Sequence, residues 1–202
     1  MPEAHTDNQA NKMVSHALKS FKYDSGRFYG SPVGLSLGVG LIYSGINFPL
    51  LDEETKLFDT AEGMVYVLTH ECDSANERAF NDYILICPIH SLPEWIESYL
   101  EERSEESLRS FLTELGADNV HRALLVPPIS RDALPHGGII YLNQICNTHK
   151  KFFEQPPSRT VCALSQYAQD ILDKKIENHL LREKSDRLPM LRGFSGSRSF
   201  IN

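Results

Sequence analysis

From Ala10 to Phe21 the apolar residues Ala10, Met13, Val14, Ala17, Leu18 and Phe21 recur at the i, i+3, i+4, i+7 spacing of one helical face. That spacing predicts an amphipathic helix. The stretch YDSGRFYGSPVG then predicts a loop, because glycines and a proline interrupt any regular ladder. Between Val33 and Tyr43, VGLSLGVGLIY mixes alternation with glycines and reads as a strand holding a bulge or a close backbone approach. Two clearer β-runs follow at 64–70 (MVYVLTH) and 82–89 (DYILICPI), split by the polar segment ECDSANERAFN. Their near-continuous hydrophobicity predicts burial on both faces, and a hairpin between them sets Cys87 opposite Tyr66.

Ser91, Pro93 and Glu94 form a helix-start signal ahead of the stripe Trp95, Ile96, Tyr99 and Leu100. A second stripe, Leu108, Phe111, Leu112 and Leu115, has Ser104 as its cap and Gly116 as its terminator. Val120–Val126 predicts a short strand stopped by Pro127 and Pro128, and IIYLNQI another, passing into a helical CNTHKKFF. Val161, Leu164, Ala168, Ile171, Leu172, Ile176 and Leu180 keep helical spacing over about 20 residues. The fold class expected is α+β: a small twisted, mostly antiparallel sheet or partly open barrel packed by about four helices. Residues 1–187 read as a single domain and 188–202, rich in Pro, Gly and Ser, as a flexible basic tail.

Composition narrows the function classes. A 41% hydrophobic and 23% charged chain of 202 residues can bury a core. Its net charge of −7 disfavours a broad nucleic-acid face and leaves room only for a local basic groove. No apolar segment approaches the ~20 residues that span a bilayer, and the N-terminal MPEAHTDNQANK lacks a basic-then-apolar leader, so a cytoplasmic protein is expected. The cysteines Cys72, Cys87, Cys146 and Cys162 are too sparse for a disulfide scaffold and read as thiols.

The densest cluster of reactive side chains is His70-Glu71-Cys72-Asp73, at the end of a buried strand. A strand sets His70 and Cys72 on one face and Glu71 and Asp73 on the other. A thiol beside an imidazole is a potential nucleophile where the histidine lowers its pKa. The competing reading packs Cys72 as a small hydrophobe while Asp73 and Asn76 make turn hydrogen bonds. Two Cys-x-x-His pairs, Cys87/His90 and Cys146/His149, offer an alternative zinc set; a helix sets Cys146 and His149 on one face, but a strand turns Cys87 and His90 to opposite faces unless Pro88 ends it. No metal or other cofactor is expected. Arg122, next to His121, is a candidate for holding an anion or the Asp73 loop. Phosphate-loop, nucleophile-elbow, zincin and dinucleotide motifs are all missing from the sequence.

The strand-to-loop segment VYVLTHECD and the returning YILICPI resemble a pattern in poorly characterised bacterial proteins carried beside mobile-element or defence genes. Arg122 with Leu125-Val126-Pro127-Pro128, the IIYLNQI run and Ala163-Leu164-Ser165 look similar too, so the resemblance covers roughly residues 60–185. More distantly, the strand-loop-strand ending in Cys-Pro-Ile is similar to the small barrels of MazF/PemK-type toxins. Their RNA cleavage is not carried over, because this chain is acidic and matches none of their catalytic positions. The resemblance implies a bacterial conflict or anti-phage defence setting and the missing motifs argue against chemistry, so the expectation is a non-enzymatic interaction or regulatory subunit with a protein partner. Its binding residues would be His70, Glu71, Cys72, Asp73, Asn76 and Arg122. The alternative is a small hydrolase or nuclease using Cys72, Asp73 and His70, with Arg122.

Overall fold

The computed structural model describes residues 3–51, 55–70, 82–129 and 133–187. The strands are β1 (Tyr29–Gly30), β2 (Leu41–Leu51), β3 (Phe58–Val67), β4 (Tyr83–Ser91), β5 (Ala123–Val126), β6 (Gly138–Tyr141), β7 (Cys146–His149) and β8 (Arg159–Leu164). The helices are α1 (Glu3–Lys19), α2 (Leu92–Glu102), α3 (Glu105–Gly116), the four-residue α4 (Lys151–Glu154) and α5 (Gln166–Arg187). Residues 188–202, expected to form a tail, lie outside the described residues, as do Glu71, Cys72, Asp73 and Asn76.

All strand pairs are antiparallel, in the order β1-β8-β2-β3-β4-β6-β5, with β7 joining β4 beyond the end of β6. Tyr66 pairs with Cys87, as the two apolar runs require once their turn is closed. The fold is α+β, and the sheet is strongly curled without closing. Its curl brings β7 against β2, where the Thr148 hydroxyl donates to the Asn47 carbonyl.

Each layer follows from side-chain alternation. One face of the sheet sends Ala123, Leu125 and Ile139 under α1, α2 and α3, whose Val14, Ile96 and Leu112 meet them. The opposite face sends Tyr66, Cys87, Leu124 and Ile140 under α5, which contributes Ala168 and Leu172. A third cluster, including Ile46, Val65, Ile84 and Ile86, fills the hollow of the curl. Ser104 caps α3 by accepting from the Ser107 N–H at 3.3 Å.

Several sequence expectations shift. The glycine-bearing strand lies at Leu41–Leu51, not 33–43: Gly34 and Gly40 take left-handed φ, and Val33 and Leu35 are exposed. Its bulge falls between Tyr43 and Ile46, at Gly45 with φ 72°, where a Cβ would stand 2.7 Å from the Pro157 carbonyl oxygen. The run expected at 64–70 is β3, which ends at Val67 and extends back to Phe58 because β2 supplies a ladder as far as Leu51↔Phe58. CNTH is strand β7, paired with Tyr83–Ile86, rather than helix. Val161 and Leu164, predicted as the start of the last helix, belong to β8, which pairs with β2 through Cys162↔Ile42 and Ala163↔Leu41. Helix α5 begins only after Ser165, whose hydroxyl accepts from the Ala168 N–H.

Candidate interaction cleft

At the end of β3 the described part of the polar loop is Thr69 and His70. The Thr69 hydroxyl accepts from the Leu85 N–H at 2.7 Å, replacing a ladder hydrogen bond just where Leu68 N–H makes the last one, to the Leu85 carbonyl. That is a strand-ending role. His70 is exposed at the strand's end. Arg122 is not its neighbour: β4 and β6 separate β3 from β5, on the order of 14 Å at ~4.8 Å per strand.

The four residues of the alternative zinc set do not converge. His149 is in register with Tyr83 and Cys146 with Ile86, while His90 lies seven positions beyond Tyr83 on β4, roughly 23 Å along it at ~3.3 Å per residue. His90 Nε2 instead meets Gln144 Oε1 at 2.5 Å, and the Cys87 thiol donates to the Tyr141 carbonyl at 3.3 Å. Burial pushes the Cys87 and Cys162 thiols up to about 12 and also raises Cys146, so all three are poor thiolate donors. Among the described residues no group of three or more His, Cys, Asp or Glu side chains is placed to hold a metal ion.

Arg122 instead stands at the rim of a cleft of about 600 Å³ between α2, α3 and the β6 end of the sheet. The Leu142 N–H donates to its carbonyl at 2.8 Å, holding the strand end against the turn after β6. Inside the cleft Trp95 and Tyr99, one helical turn apart on α2, meet Phe111 of α3 and Tyr141 of β6. Trp95 is 5.1 Å from Tyr99, 5.2 Å from Phe111 and 6.3 Å from Tyr141 between ring centroids, and Tyr99 stacks on Phe111 at 6.0 Å. Such pairs contribute ~0.5–1.5 kcal/mol each beyond burial and hold the rings in place. Arg103 lies 5.7 Å over the Tyr99 ring. Burial raises the Tyr141 phenol to about 12, against the opposing effects of Trp95 and of the Arg122 charge.

Nothing matches this chain among known protein families, curated proteins or solved structures. Its own residues therefore carry the functional reading. Among the described residues no helix is long and apolar enough to cross a membrane.

The stripe Trp95, Tyr99 and Phe111 was legible in the sequence as helix faces, but their meeting with Arg122 and Tyr141 depends on how α2 and α3 lie on the sheet. A second polar cluster escaped the sequence reading. On the α5 side, Lys175 Nζ donates to Asp118 Oδ1, and the Tyr23 hydroxyl donates to Asp118 Oδ2. Burial, then the Asp118 contact, pushes the Tyr23 phenol above its ordinary value. Asp118 closes the end of α3 with φ 62°, a left-handed conformation that Asp tolerates better than most residues. The available signal was Lys175 itself, a charged residue three and four positions after Leu172 and Ile171 on the inward stripe of α5.

Proposed function

We propose that this chain is a non-enzymatic interaction or regulatory subunit that grips a protein partner through the Trp95–Tyr99–Phe111–Tyr141 cleft. The observation that carries this reading is the convergence of four aromatic rings with two arginines, Arg103 and Arg122, on one open concavity. Trp, Tyr and Arg are the residue types that dominate binding energy at protein interfaces: the rings present large contact area with few rotatable bonds, and Arg adds a planar fork of five donors. Neither arginine is in an ion pair among the described residues. An acidic or carboxylate-bearing partner segment supplies what they lack. Ring faces, guanidinium groups and amides line the cleft, with Glu102 its one carboxylate among the described residues, a set suited to binding rather than to acid–base chemistry. The setting in a bacterial conflict or anti-phage defence system rests on the resemblance across residues 60–185.

The test pairs phage challenge with co-purification in a host carrying the chain and its gene neighbours. Arg103→Glu with Arg122→Glu, both exposed, should abolish protection and partner recovery while leaving the melting temperature unchanged. Cys72→Ser should be silent in both assays. If Cys72→Ser abolishes protection and the arginine pair is silent, the hydrolase reading at Cys72, Asp73 and His70 replaces this one.

A further inference from the structure

Helix α5 buries one ammonium group where its packing pattern calls for a methyl. Lys175 is 6% exposed, and among the described residues its only acceptor is Asp118. An ammonium carries three donors, and at this depth those left without acceptors are costly. The second oxygen of Asp118 accepts from Tyr23. Two of the three ammonium donors thus have no acceptor among the described residues, and Lys175 lines a cleft of about 470 Å³.

The rim repeats that sign. Lys22 and Lys174 line the same cleft and are exposed, and Asn178 adds an amide. The other lining carboxylate, Asp170, is held by the Gln166 side-chain amide at 2.8 Å. Three lysines thus meet two carboxylates, Asp118 paired with Lys175 and Asp170 bonded to a neutral amide, a surplus of one positive charge in a chain whose net charge is −7. The local field opposes the global one. Lysine ammonium groups are compact point charges well suited to phosphate, and a dianion matches the two rim lysines while accepting from the third.

We propose that the cleft between α5, the end of α3 and Lys22 binds a small phosphate-bearing ligand, with Lys175 as the buried donor and Lys22 and Lys174 as the rim. The site shares no lining residue with the aromatic cleft, although His121 of the one adjoins Arg122 of the other, and it does not depend on the partner proposed above. Its chemistry is shared by inorganic phosphate and by phosphate monoesters, and calorimetry of the full chain with sodium phosphate and, separately, with adenosine monophosphate distinguishes them. Saturable binding of one or both probes is expected, the tighter probe naming the source. Lys22→Glu with Lys174→Glu should weaken that binding at least about tenfold, with an unchanged melting temperature when no ligand is present. Lys175→Met should abolish it as well; the rim pair keeps the test decisive where loss of the buried ion pair lowers stability. No saturable heat with either probe, or unaltered affinity in the rim variant, would overturn the proposal.

Discussion

Replacing Lys175 by Met removes a charge from a buried pair while keeping most of the side chain's volume. The Lys175 and Asp118 side chains are 7% and 19% exposed, so neither is rescued by full hydration when its partner goes. Breaking a buried pair from one side typically costs ~3–5 kcal/mol, because the surviving charge is left without compensation. Asp118 keeps some water contact and the Tyr23 hydroxyl, so the expected loss is about 2–3 kcal/mol. For a chain of this size that corresponds to a melting temperature lower by roughly 5–10 °C. Adding Asp118→Asn should restore at least about 1 kcal/mol, since Asn carries no charge, still accepts from Tyr23 and tolerates the left-handed φ at this position. Urea unfolding followed by circular dichroism reads both values. The reasoning fails if the single variant loses less than about 0.5 kcal/mol, or if the double variant is less stable than the single.

Three further outcomes follow from the packing. Gly45→Ala should destabilise by about 1–3 kcal/mol in the same unfolding assay, because φ is 72° and the new Cβ meets the Pro157 carbonyl at 2.7 Å; wild-type stability would show that the bulge relaxes freely. Tyr66→Phe should cost less than about 1 kcal/mol, because the buried Tyr66 hydroxyl makes no well-aligned hydrogen bond and has only the Gly40 backbone beside it; a larger loss would show that the Gly40 contact is a full hydrogen bond. The Cys87 and Cys162 thiols are raised from 9.0 to about 12 in the folded chain, so their neutral forms contribute stability that is fully present below pH 9 and is lost as pH rises toward 12. Unfolding free energy measured from pH 8 to 11 should fall with pH, and less steeply in a Cys87→Ala, Cys162→Ala variant; parallel slopes would remove these thiols as the cause.

Local sequence determined the elements whose apolar period is unbroken and whose ends carry their own chemistry. The α1 stripe, the α2–α3 pair with its Ser104 cap, and the two hydrophobic runs that set Tyr66 against Cys87 are all of this kind. Tertiary structure decided what local signals left degenerate. Val161 and Leu164 fit a helical stripe as well as a strand, and only the edge offered by β2 makes them β8. Cys146 to His149 became β7 because β4 outruns β6 and leaves Tyr83–Ile86 to be paired. The candidate sites divide in the same way. His70 and Arg122 were visible as single residues, yet strand order separates them and instead sets Arg122 beside Trp95, Tyr99 and Tyr141, which come from distant parts of the chain. Lys175 and Asp118 are 57 residues apart and share no motif. Their pairing arises because α5 lies across the end of α3, a packing relation that periodicity, which describes one element at a time, does not encode.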